Sequence, residues 1–143
     1  MENYHADYHI AFRNIFDAFE KNLDNVNKPF FPDADYLSSS RTLRLQLPKH
    51  AGHSTFAVNL AKERNAFLYQ MHKQPCIDLP FYFEHNELRA SYHAFNKDIP
   101  NLFIIDDGYQ FGGRLESLYI RLIKYAEQLG TDYLLSVRFL VLN

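Results

Sequence analysis

A chain of 143 residues is long enough for one domain with a sizeable core. Its 47% hydrophobic and 22% charged content is that of a globular protein and excludes a disordered one. A net charge of −2 with seven neutral histidines excludes nucleic-acid binding through an overall basic excess, so any such contact needs a local patch.

Redox class and compartment follow from similarly simple features. The one cysteine, Cys76, cannot form an internal disulfide, and it is expected as a buried thiol in a reducing compartment. The opening MENYHADYHIAF lacks the basic end and apolar run of a signal peptide, and no apolar stretch is long enough to cross a bilayer. The expectation is a cytoplasmic protein without membrane contact. An aromatic content of 16%, with 13 Phe and 10 Tyr, suits a bulky core and also a partner surface.

In chain order, residues 4–26 predict an amphipathic helix: Tyr8, Phe12, Ile15, Phe16, Phe19, Leu23 and Val26 form one stripe at three- and four-residue spacing. The stretch NKPFFPDADYLSSS, with two prolines and a serine run, reads as a connection over 28–40. RTLRLQL alternates, with Leu43, Leu45 and Leu47 on one side and Thr42, Arg44 and Gln46 on the other, the pattern of a half-buried strand. The loop PKHAGH leads to a helix, STFAVNLAKERN, with Ser54 or Thr55 expected to cap its first turn.

AFLYQMH (66–72) predicts a second strand, and KQPCIDLPFYF, broken by Pro75 and Pro80, an irregular segment. EHNELRASYHAFNKD (84–98) predicts a short polar helix with Leu88, Tyr92 and Phe95 on one side. NLFIIDD (101–107) has four apolar residues in succession, as in a strand buried on both faces. RLESLYIRLIKYAEQLG places Leu115, Leu118, Leu122, Tyr125 and Leu129 on one helical face, with Gly130 as its stop. DYLLSVRFLVLN closes the chain as a strand.

Strands alternating with helices from residue 41 imply an α/β fold in three layers, with a mostly parallel sheet preceded by the N-terminal amphipathic helix. The whole chain is expected as a single domain: helix 1–27, connection 28–40 and α/β core 41–143.

Ligands in such folds sit beyond the carboxyl ends of the strands. Two segments point there. In LPKHAGHST, Gly52 permits close backbone approach to an anion, and the helix that follows offers free N–H groups. FIIDD delivers Asp106 and Asp107, and a carboxylate so placed can hold Mg²⁺ beside a phosphate.

These segments together resemble the P-loop NTPase family. The strand–loop–helix with its glycine and hydroxyls looks like Walker A, and NLFIIDDG looks like Walker B. Pro48 and Lys49 precede Gly52 much as a Pro-Arg pair precedes the glycine in helicase and terminase ATPases.

The resemblance covers residues 41 to about 142 and implies P-loop-like topology, with ATP or GTP and Mg²⁺ as cofactors. It assigns Gly52, His53, Ser54 and Thr55 to the loop glycine, the lysine, the Mg²⁺-binding hydroxyl and its neighbour. Asp106 takes the metal-side carboxylate and Asp107 the catalytic acid, with Lys49 a further source of positive charge.

The chain departs from the pattern G-x-x-x-x-G-K-[ST] at Leu47, where a glycine belongs, and at His53, where the lysine belongs. Histidine is shorter and mostly neutral at pH 7, so the change weakens stabilisation of a transferring phosphoryl group more than binding. Asp107 is also shorter than the glutamate that usually activates water. The implied protein is a degenerate P-loop-like one that binds a protein or nucleoprotein partner with weak or no hydrolysis, and a viral or mobile-element regulator or inhibitor matches its small size. The alternatives are a divergent ATPase or nucleotide kinase, and a nucleic-acid-binding accessory protein.

Arg41, Arg44, Lys49, His50 and His53 form the one local basic cluster, and Arg41 and Arg44 are the candidates for a nucleic-acid backbone. The alternation of their strand equally suits a solvated sheet edge. Phe30, Phe31, Tyr36, Tyr109 and Phe111 are candidates to stack on a base or to pin loops to the core. His5 and His9, four apart on the first helix, have a metal-ligand spacing but no evident third ligand. His85 and His93 pair with nothing obvious.

Overall fold

A computed structural model describes residues 4–23, 28–48, 52–87, 99–130 and 132–143. Its centre is a five-stranded sheet in the order β1-β5-β4-β2-β3, built from β1 (Thr42–Leu45), β2 (Phe67–Gln70), β3 (Tyr82–Glu84), β4 (Leu102–Asp106) and β5 (Arg138–Leu142). Every neighbouring pair runs parallel. The molecule is therefore α/β, as the alternation of elements predicts.

β4 lies between β5 and β2, and all five of its residues are buried. That central position explains the uninterrupted apolar run in its sequence. β1 is an edge strand with Arg44 exposed, which agrees with the solvated-edge reading of its alternation.

Side-chain alternation divides the interior into two apolar clusters. Phe67, Phe103, Phe139 and Val141 face one way, against Leu37 of α2 (Ala34–Ser40), Leu118 and Leu122 of α5 (Arg114–Leu129) and Leu134 of α6 (Asp132–Ser136). Leu68, Leu102, Ile104, Leu140 and Leu142 face the other way, against Phe12 and Phe16 of α1 (Tyr4–Leu23) and Phe56 and Leu60 of α3 (His53–Arg64).

The first helix thus contributes to the core, with Phe12, Phe16 and Leu23 buried as its stripe predicts. Tyr8 and Ile15, at the margin of that stripe, are exposed, and Val26 lies outside the described residues. Phe12 meets Phe56 edge to face at 5.4 Å between ring centroids, a favourable aromatic geometry. Glu20 clamps the same helix through two hydrogen bonds from Arg64, at 2.6 and 2.7 Å, and an ion pair with Arg138 at 3.0 Å. Gly130 ends α5 at φ 100°, as expected of a helix-stopping glycine.

Several elements differ from expectation. The supposed connection over 28–40 contains α2, whose start is capped by the Asp33 carboxylate accepting from the Tyr36 amide at 2.8 Å. The irregular segment contains β3, a three-residue strand that pairs, among the described residues, with β2. Of the helix expected over 84–98, residues 85–87 form a 3-10 turn and residues 88–98 lie outside the described part. The final strand is shorter than expected because α6 occupies residues 132–136. α3 begins one residue earlier than predicted, at His53, and its cap is Gly52 at φ 75° with no side-chain cap hydrogen bond, so neither Ser54 nor Thr55 caps it. Cys76 is exposed rather than buried, because it sits in a surface turn with φ 64°.

Gly108 opens α4 (Gly108–Phe111) directly behind the two aspartates. A Cβ there would lie 2.5 Å from Val141 Cγ1 and 2.2 Å from Asn143 Oδ1. The Asn143 side chain can swing away, but Val141 is buried in β5. Gly108→Ala is therefore expected to destabilise the fold by about 1–3 kcal/mol, the usual cost of overpacking. Urea denaturation checks this, and an unchanged midpoint would contradict the close approach.

Candidate functional site

Strand parity decides what reaches the carboxyl rim of the sheet. Leu102 and Ile104 of β4 face α3, so Asp106, two residues on, emerges on the same side beneath the start of that helix. Leu68 of β2 also faces α3 and pairs with Ile104, so the pleat puts Gln70 beside Asp106. Both polar side chains are only 3% exposed, so each needs partners.

The partners are one another and His53. His53 Nδ1 lies 2.7 Å from Asp106 Oδ1, and Gln70 Nε2 donates to Asp106 Oδ2 at 2.8 Å. Gln70 Oε1 accepts from the Tyr82 hydroxyl and from Gln74 Nε2, the latter at 3.3 Å. Gln70 Nε2 also leans on the Ser54 carbonyl at 3.4 Å. A polar row therefore runs along the rim from β3 through β2 to β4 and ends on the first residue of α3. The hydrogen bond to Asp106, aided by the charge of Asp106 and Asp107, raises the His53 pKa above the ordinary imidazole value, against the effect of burial.

Gly52, at φ 75°, turns the chain into α3 in the left-handed conformation glycine adopts freely. Its carbonyl accepts from Phe56 N at 3.1 Å and lies 2.9 Å from His9 Nε2. Because the carbonyl can only accept, His9 carries its proton on Nε2. The helix histidine considered as a metal ligand is thus a tether between α1 and the loop. Among the described residues no group of three metal-capable side chains occurs, and the His5 side chain lies outside that part.

The loop and the acidic strand end therefore meet on one rim, as the two motifs predict, but in direct contact with each other. Asp107 follows at φ 76°, a left-handed conformation uncommon for a non-glycine residue, with its amide donating to the Leu142 carbonyl at 2.9 Å. Thr55 is exposed and Ser54 half-buried. Lys49 and His50 lie outside the described residues.

The arrangement does not fit Mg²⁺ as the resemblance implies it. Both Asp106 oxygens already take protein hydrogen bonds, and the side chain is nearly fully enclosed. Mg²⁺ keeps several waters in an octahedral shell and needs an accessible carboxylate.

The other candidates divide. Arg41 is 3% exposed, and its Nε donates to the Val137 carbonyl at 2.8 Å, so it serves the core and presents no surface for a phosphate backbone. Arg44 is exposed near Ser38, with hydrogen bonds of 3.2 and 3.3 Å. Phe111 is buried against Tyr69, and Tyr36 is half-buried. Phe30 and Phe31 are exposed, and the Tyr109 side chain lies outside the described part. His85 pairs with the Tyr69 hydroxyl at 3.0 Å, and His93 lies outside.

Sequence reasoning missed Gln70 and Tyr82. The signal for Gln70 was a lone amide two residues beyond an inward-facing leucine, at the end of an apolar strand. No protein-family model, curated protein or solved structure matches the chain.

His53 titration tests this geometry. A raised folded-state pKa means that the pairing stabilises the fold fully below the unfolded value of about 6.5, and that this contribution is lost as pH rises through the folded value. NMR titration is expected to place His53 above an exposed histidine in the wild type and to return it towards the ordinary value in Asp106→Asn. Equal midpoints in the two proteins would contradict the contact.

Proposed function

We propose that the chain is a degenerate P-loop-like protein, three-layered in its α/β core, that acts by binding a protein or nucleoprotein partner, with weak or no nucleotide hydrolysis. The observation that carries this reading is the 2.7 Å contact between His53 and Asp106. The residue aligned with the phosphate-binding lysine is spent on the residue aligned with the metal-side carboxylate. Neither is left to do the work its counterpart does in phosphoryl transfer, where a cation and Mg²⁺ offset charge on the transferring group.

Layout supports the same kinship. One strand, β5, separates the loop-bearing β1 from the acidic β4, and the helices that follow those two strands lie on opposite faces. A crevice between outward-turning connections is where ligands bind in open parallel sheets.

A protein partner is favoured by the exposed apolar side chains. Phe30 and Phe31 are 87% and 76% exposed and pack edge to face on each other at 4.7 Å, and Ile10 is 60% exposed on α1. Large aromatic residues so exposed are enriched at interfaces. The burial of Arg41 weakens the nucleic-acid alternative. No helix among the described residues is long and apolar enough to cross a membrane, and a cytoplasmic location fits the lone exposed thiol.

Calorimetry with Mg-ATP and Mg-GTP tests the nucleotide half of the proposal. Weak or undetectable heat is expected for the wild type, and His53→Lys is expected to increase nucleotide affinity by about tenfold, the scale of one charge-assisted hydrogen bond. Tight wild-type binding with turnover abolished by Asp106→Ala would reject the reading in favour of a divergent ATPase.

A further inference from the structure

The polar row at the sheet rim decides which nitrogen of His53 carries its proton. Gln70 Oε1 accepts from the Tyr82 hydroxyl and Gln74, so its amide nitrogen is the end turned to Asp106. Asp106 then accepts at both oxygens, as a carboxylate, and His53 Nδ1–H is the donor at 2.7 Å. In the neutral ring the lone pair falls on Nε2, which makes no hydrogen bond with a described residue. The ring forms part of the wall of a cavity of about 400 Å³, together with Ser54, Gln70, His72, Asp106 and Asp107. A carboxylate that holds Nδ1–H and leaves Nε2 to accept is the arrangement by which an imidazole withdraws a proton from a bound hydroxyl.

Charge narrows the substrate. Two carboxylates and two imidazoles stand in the wall, so an entering phosphate or carboxylate meets at least as much negative charge as positive. A neutral polar molecule meets no such opposition. The volume suits a small ligand, and Met71 adds an apolar surface to the wall.

We infer that His53 is a general base that activates water for hydrolysis of a small uncharged carboxylic ester, an activity separate from nucleotide chemistry and from partner binding. Nε2 takes a proton from water while the water oxygen bonds to the carbonyl carbon, whose π pair moves to the carbonyl oxygen. Return of that pair breaks the bond to the alcohol oxygen, which leaves with the proton from Nε2. Carboxylic acid and alcohol result, with no change of oxidation state. Asp106 and Gln70 are positioning residues: one fixes the ring and its tautomer, and the other fixes the carboxylate.

The test is steady-state hydrolysis of p-nitrophenyl acetate by the full chain at a pH above the His53 midpoint measured by NMR titration, where the ring is neutral. Saturable turnover is expected, falling roughly 100-fold in His53→Gln, the scale of general-base catalysis. Asp106→Asn is expected to lower kcat at least about tenfold with KM kept, because a misplaced tautomer spoils proton transfer rather than binding. Circular dichroism confirms that each variant is folded, and His53→Asn substitutes if His53→Gln is not. A wild-type rate equal to that of either folded His53 variant overturns the inference. So does an acetyl group retained on His53 in mass spectra, which would make the ring a nucleophile.

Discussion

The contact between the first residue of α3 and the last residue of β4 organises the rim of the sheet. A carboxylate enclosed on the core side of a parallel strand needs donors, because an unpaired buried charge costs several kcal/mol. Asp106 finds one in His53 and one in Gln70. The register of β2 beside β4 brings the amide, and the turn at Gly52 brings the ring. Each partner constrains the next, so the amide of Gln70 and the tautomer of His53 are set by hydrogen bonds that begin on the edge strand β3.

Under the proposed P-loop kinship, the same contact accounts for a strand–loop–helix layout without phosphate chemistry. A lysine at position 53 would extend past the carboxylate towards a ligand. The shorter histidine stops at the carboxylate and hydrogen-bonds to it at 2.7 Å. On that proposal, a histidine where the family has lysine alters both halves of a phosphate-and-metal site, without requiring any change in the sheet. The tether from His9 to the Gly52 carbonyl adds a restraint on the loop from α1, so the first helix supports the rim as well as the core.

Much of this was legible in the sequence where local pattern and burial agree. Four apolar residues before Asp106 marked β4 as buried on both faces, and the alternation of β1 marked an edge. Gly130 marked the end of α5. The turn before Ser54 and the acidic end of β4 were expected on one rim, and they meet there. β3 escaped notice because three residues between a proline break and a 3-10 turn carry too short a period, and their support comes from β2. α2 was hidden by flanking prolines and its serine run, although Asp33 before Ala34 was a readable cap. Arg41 resembled a surface cation, but its carbonyl partner lies 96 residues away. Gln70, Tyr82 and His9 act through contacts that depend on strand order and helix docking, which no local window contains.

The proton on His53 is the most direct witness to this arrangement. Nitrogen-15 NMR of the histidine rings, recorded above the His53 titration midpoint, reports which ring nitrogen is protonated. A carboxylate-held ring gives a single Nδ1–H tautomer for His53 with Nε2 unprotonated. An Nε2–H tautomer, or the averaged signal of a freely exposed imidazole, would contradict the contact with Asp106 and everything built on it.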